Sequence, residues 1–192
     1  MSLATPSSVQ KLQKALHDKA KESPSYRFYA LYDKVYRKDI LACAYDHCHA
    51  NRGAAGVDGQ EFEDIEKYGV ERWRDELAEE LKSRTYQAQP VRRVMIDKTG
   101  GGKRPLGIPA IKDRVAELAA VLVLEPIFEA DLQPEQYAYR QDRSALDAVK
   151  RVHQLLNTGH GQVVDADLSG YLDPSTQCPL SHEITQVDRP LL

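Results

Sequence analysis

Asp165 and Asp167 are the residues whose type and spacing offer chemistry most directly. They stand in the run Val163-Val164-Asp165-Ala166-Asp167-Leu168-Ser169-Gly170-Tyr171-Leu172-Asp173. A short strand there would put both carboxylates on one face, because strand side chains repeat every two residues. Two adjacent like charges need a counter-ion. A hard cation such as Mg2+, held by oxygen ligands, meets that need and is the ion used in phosphoryl transfer. The same pattern also suits a solvated turn or a helix cap, so the pair alone leaves both uses open.

Three other groups could do chemistry. Lys98 and Arg104 flank Gly100-Gly101-Gly102. Glycines let a backbone come close to a ligand, Lys supplies a point charge, and Arg supplies a fork that matches phosphate oxygens. The same residues also fit an ordinary hairpin turn with surface bases. Cys43, His47, Cys48 and His49 lie close in sequence, but on a helix only Cys43 and His47 would share a face. No second ligand pair follows at finger-like spacing, which argues against zinc. Tyr26, Phe28, Tyr29, Tyr32 and Tyr36 alternate with Arg27, Lys34 and Arg37. Such a run can stack on unpaired bases. The preferred reading is that Phe28, Leu31, Tyr32 and Val35 form the buried stripe of a helix.

Apolar periodicity outlines the elements that must position these groups. Val9, Leu12 and Leu16 predict a short amphipathic helix, ended by Ser23-Pro24-Ser25. Ile40, Leu41, Ala44 and His47 predict a helix over 38–50, followed by a loop punctuated by Gly53, Gly56 and Gly59. Val70, Trp73, Leu77 and Leu81 predict a helix over 68–84 with a solvated acidic face. Val91, Val94 and Ile96 alternate with Arg92, Arg93 and Asp97, so 90–97 is expected as a strand, paired in a hairpin with 104–109. Ile111, Val115, Leu118, Val121, Leu122 and Leu124 make 110–124 a helix apolar enough to be central, kinked or ended by Glu125-Pro126. A loop over 136–143 leads to Ser144, an expected N-cap with Asp147 in the capping-box position. Leu146, Val149, His153 and Leu156 are then expected to face inward, with His153 at the core edge. Pro174, Pro179 and Pro190 predict an irregular tail.

A net charge of -3 and a pI near 6.1 argue, taken globally, against a nucleic-acid partner. The charge is segregated, however. Residues 61–81 hold nine acids against three bases, and residues 82–114 hold nine bases against two acids, which makes the second stretch a basic patch. Cys43, Cys48 and Cys178 are too few and too irregular for a disulfide framework, as expected of a cytoplasmic protein. No apolar run reaches membrane length, and no secretory stretch opens the chain, so no membrane partner is expected.

Four blocks, in order, resemble the first part of a group II intron-type reverse transcriptase. They are Asn51-Arg52-Gly53-Ala54-Ala55-Gly56-Val57-Asp58-Gly59; Lys98 through Pro109 continuing to Lys112-Asp113-Arg114; Tyr137-Ala138-Tyr139-Arg140 with Ser144-Ala145-Leu146-Asp147-Ala148-Val149; and the run containing Asp165 and Asp167. The resemblance covers roughly residues 36–173. It implies an α+β fold, with helix-rich fingers and a β-hairpin followed by the first strand and helices of a palm, as an incomplete right-hand polymerase. The implied segments are a helical arm at 1–35, fingers at 36–109, the start of the palm at 110–173 and a divergent tail at 174–192.

The function implied is that of an RNA-directed DNA polymerase and maturase, which adds deoxynucleotides to a DNA primer on an RNA template or binds intron RNA. Asp167 is then the catalytic, metal-binding aspartate, Leu168 a backbone ligand and Asp165 a supporting ligand, with Mg2+ as cofactor. Lys98 and Arg104 would touch the phosphates of the incoming nucleotide, Arg140 would line the wall near template and nucleotide, and the 51–59 loop would lie near RNA. Leu172 stands where the family usually has an aromatic that crowds out a ribose 2'-hydroxyl, which leaves sugar selectivity open. The family's Tyr-x-Asp-Asp element has no counterpart, because no Asp-Asp pair occurs. The chain is therefore expected to be cut off after its first catalytic motif and inactive alone. Two other readings remain: a non-catalytic module that binds intron RNA, and a decayed product with no activity.

Overall fold

In the computed structural model, which describes residues 5–97, 99–140 and 142–162, the chain forms two compact units that divide after Ala130. The first contains α1 (Ser7–Glu22), α2 (Tyr32–Val35), α3 (Lys38–Asn51), α4 (Phe62–Tyr68) and α5 (Val70–Ser83). An antiparallel hairpin of β1 (Arg92–Asp97) and β2 (Lys103–Ile108) follows, and then α6 (Ile111–Glu129). The second unit contains α7 (Ala145–Asn157). This helix-rich arrangement with one hairpin is the expected α+β class.

The core of the first unit is organised around α6. Ile111, Val115, Ala119, Val123 and Ile127 recur every fourth residue and are buried against α1 and α3. Val9, Leu16 and Ala20 come from α1, and Ile40, Leu41 and Ala44 from α3. Each large aliphatic side chain removed from water in this way contributes about 1.5–3 kcal/mol. The amphipathic α5 buries Trp73, Leu77 and Leu81, as its spacing predicts.

Four expectations need correction. First, α6 extends beyond the expected 110–124 and runs through Pro126 to Glu129, so of the two alternatives, a kink or an end at Glu125-Pro126, the proline does not end it. Proline cannot donate to the carbonyl four residues back. Gln13 of α1 replaces that donor, its Nε2 lying 3.1 Å from the Leu122 oxygen. Second, residues 26–31 are not helical, and the only helical turn of that stretch is the four-residue α2. Phe28 and Leu31 are buried while Tyr26 and Tyr29 face outward, so the run buries selected rings without paying the rotamer cost that aromatics meet in a helix.

Third, the helix expected over 68–84 begins at Val70, because Gly69 takes φ +109° and separates it from α4. The short α4 is stabilised by a reciprocal capping box between Glu61 and Asp64. Fourth, α7 starts at the expected Ser144–Asp147 capping box, but none of its residues is buried. Leu146, Val149 and Leu156 are exposed, and so is His153. The stripe is amphipathic, yet no described element covers it, and periodicity specifies a face without specifying what lies against it.

Candidate nucleic-acid interface

The hairpin's register sets its two faces. Arg92 pairs with Ile108, Val94 with Leu106 and Ile96 with Arg104, while Arg93 pairs with Gly107, Met95 with Pro105 and Asp97 with Lys103. Alternation therefore places Arg92 and Arg104 on one face and Arg93 and Lys103 on the other. All four are exposed, and none of their side chains has a hydrogen-bond or ion-pair partner among the described residues. Between the strands, Gly101 and Gly102 take φ +88° and +84° in an open tip. The expected partner of Arg104 at the tip, Lys98, lies outside the described residues.

The basic patch at 82–114 is not uniform. Lys112 is committed to Glu80, 2.6 Å from its carboxylate, and ties α6 to α5. Arg114 turns back over the 51–59 loop, where its Nη2 donates to the Ala54 carbonyl at 2.9 Å and its guanidinium carbon stands 5.9 Å from the centre of the Phe62 ring. Both residues look like solvated cations in the sequence, but the fold uses them internally. The free positive charge is thus concentrated on the hairpin.

The loop's glycines explain this docking. A Cβ on Gly56 would lie 2.5 Å from the Ala110 Cα, so the chain can cross the start of α6 only with a hydrogen there. A Cβ on Gly53 would meet Arg114 Nη1 at the same distance. On the other flank, Asp113 is only 3% exposed and accepts hydrogen bonds from the Tyr86 hydroxyl and, at 3.0 Å, from the Gln89 backbone N–H. Burial, and then the neighbouring Asp113, raise the Tyr86 pKa strongly. This anchor fixes the segment leading into β1. Sequence patterns gave no sign of it, since an Asp beside Lys112 and Arg114 looks like part of a surface charge cluster.

In the second unit, Arg140 Nη1 donates to the carbonyls of Gln133 at 2.7 Å and Gln136 at 3.1 Å, so its guanidinium helps to hold its own loop. Asp165, Asp167, Leu168 and Leu172 lie outside the described residues. Among the described residues, no group of three or more His, Cys, Asp or Glu side chains could hold a metal ion. His49 pairs with Glu66 at 3.1 Å, Cys43 is buried, and burial pushes the Cys48 thiol up to about 11. Tyr26 meets Phe28 edge-on at 5.0 Å, with Lys19 Nζ 4.4 Å from its ring centre, and Tyr29 is 70% exposed. Among the described residues, no helix is long and apolar enough to cross a membrane.

No family model matches the chain. Protein YkfC of Escherichia coli is 36% identical over 172 residues, which cover 86% of this chain and 45% of YkfC. Group II intron-encoded protein LtrA of Lactococcus lactis subsp. cremoris is 33% identical over 154 residues, 76% of this chain and 24% of LtrA. An uncharacterized 91 kDa protein in the cob intron of Schizosaccharomyces pombe is 28% identical over 149 residues, 71% of this chain and 17% of that protein. The chain thus spans less than half the length of each of these curated relatives.

Proposed function

We propose that this chain, a member of the group II intron-encoded reverse transcriptase family, supplies the RNA-facing fingers and the start of the palm of such an enzyme. The observation that carries this reading is the hairpin, which bears four exposed cations with unpaired side chains, Lys103 and Arg104 beside its open glycine tip and Arg92 and Arg93 at its other end. Unpaired Arg and Lys side chains on a projecting ribbon suit the phosphates of an RNA template or intron RNA. Arg104, together with Lys98, suits the triphosphate of an incoming deoxynucleotide. The 51–59 loop, held by Arg114, lines the same strand-to-helix junction.

In this reading, Asp167 with Asp165 and the Leu168 carbonyl would supply oxygen donors suited to Mg2+, an ion that would neutralise triphosphate charge and activate a primer hydroxyl. Arg140 would contribute to the wall beside template and nucleotide, and Leu172 would take the family's place beside the sugar. The reaction is extension of a DNA primer on an RNA template, in the cytoplasm. A second reading, a non-catalytic module for intron RNA, is favoured by one observation: the unpaired hairpin cations suit phosphate contacts that need no metal.

Primer extension on an RNA template with Mg2+ tests the two readings. The chain is assayed alone and mixed with a polypeptide carrying the remaining length of LtrA, each with Asp167 intact and as Asp167→Ala. Extension that requires Asp167 supports the enzyme. Salt-dependent RNA binding without extension in any mixture supports the module. RNA binding unaffected by salt and by loss of the hairpin cations would overturn both.

A further inference from the structure

Tyr139 has a left-handed backbone, φ +58°, and a fully exposed ring. That region of backbone space disfavours a bulky L-residue, and no burial of the ring compensates for it. Asp142, three residues on, is also left-handed at φ +57°. The loop is held in this shape from within. Arg140 bridges the Gln133 and Gln136 carbonyls, the Gln133 N–H donates to Gln136 Oε1 at 2.9 Å, and the Arg143 guanidinium carbon stands 5.5 Å from the Tyr137 ring centre. Each of these tethers engages a neighbour of Tyr139, and its own ring is left facing solvent.

An exposed aromatic plane on an internally stapled loop is complementary to an unpaired base. Every base has a π-face, and single-strand recognition is built on such platforms. Bases within a duplex are already stacked and cannot reach it. We propose that Tyr139 is a stacking residue for an unpaired base of single-stranded RNA. The proposal rests on the RNA-binding reading above and adds to it the means of distinguishing a single strand from a duplex.

The test titrates the full chain against a fluorescent oligouridine and a blunt RNA duplex of equal length, at one salt concentration. Tyr139→Gly removes the ring while suiting the left-handed backbone, and Tyr139→Phe keeps the ring without the hydroxyl. The expected result is that the Gly variant binds oligouridine about 5- to 150-fold more weakly, the range of a lost base–aromatic stack. Duplex affinity should be unchanged, the Phe variant should match the unaltered chain, and the thermal midpoint of the Gly variant should be no lower. Equal single-strand affinity for the Gly variant and the unaltered chain would overturn the stacking role while leaving hairpin binding in place. A parallel fall in duplex and single-strand affinity would overturn it too. No binding of either RNA by the unaltered chain would remove the RNA reading and the stacking role together.

Discussion

The side-chain amide of Gln13, on α1, donates a 3.1 Å hydrogen bond to the carbonyl oxygen of Leu122, on α6. Leu122 is the residue four before Pro126, the one whose carbonyl an unbroken helix would have satisfied at that position. One helix therefore repairs a defect in another, and each residue explains the presence of the other.

Replacing Gln13 with Leu should leave that carbonyl without its donor and lower stability by about 1–3 kcal/mol. In a Pro126→Ala background, the helix supplies its own N–H and the same change should cost much less. Urea denaturation of the four proteins in the cycle measures the coupling. Additive effects would show that the two residues do not act on one carbonyl.

The Tyr86–Asp113 hydrogen bond gives stability an alkaline limit. The folded Tyr86 pKa lies above the ordinary value of 10.0, chiefly through burial and then through Asp113. The unfolded chain therefore loses this proton first, and the contribution, complete below pH 10, falls as pH rises above it. Tyr86→Phe should be less stable than the unaltered chain at neutral pH by about 1.5–3 kcal/mol, the range for a bond to a charged group. The difference should shrink above pH 10. Thermal melts from pH 7 to 11 provide the check, and a constant difference would count against the assignment.

Two glycines should respond in opposite ways to the same added methyl. Gly56→Ala forces a Cβ to within 2.5 Å of the Ala110 Cα and should destabilise by about 3 kcal/mol or more. Gly100→Ala meets nothing within 4 Å and should leave the melting temperature nearly unchanged. Calorimetry on the two variants would separate the packed loop from the open tip.

The hairpin cations should set the salt dependence of RNA binding. Converting Arg93 and Arg104 to Gln should reduce the slope of log affinity against log salt by about 1.4 for a single strand, roughly 0.7 for each phosphate that is no longer neutralised. Converting Lys112 to Gln should leave the slope unchanged, because that ammonium is already paired with Glu80. Fluorescence anisotropy at several salt concentrations would distinguish the two sets.

Local signals in the sequence were legible wherever the cause was local. The α5 stripe, the two strands and their glycine turn, and the Ser144–Asp147 cap all follow from residues within one turn or strand of each other. What sequence reasoning missed depends on distant partners. The passage of α6 through Pro126 needs Gln13, and the inward turn of Arg114 needs the Ala54 carbonyl and the gap left by Gly53. The acceptor role of Asp113 needs Tyr86 and Gln89. At the candidate site, the exposed hairpin bases were readable, but nothing in their spacing separated them from Lys112 and Arg114. The left-handed Tyr139 gave no sign, since its residue type neither favours nor announces that conformation.

The grip of α1 on α6 also imposes an order of events during synthesis. Gln13 reaches Leu122 and Lys21 reaches the Ala130 carbonyl, and each pair is separated by 109 positions. At about 5–20 residues per second on the ribosome, α1 waits roughly 5 to 20 s for the helix that receives it. Until then, Val9, Leu16 and Ala20 have only α3 to pack against, and the part of their apolar stripe that α6 covers stays open to water.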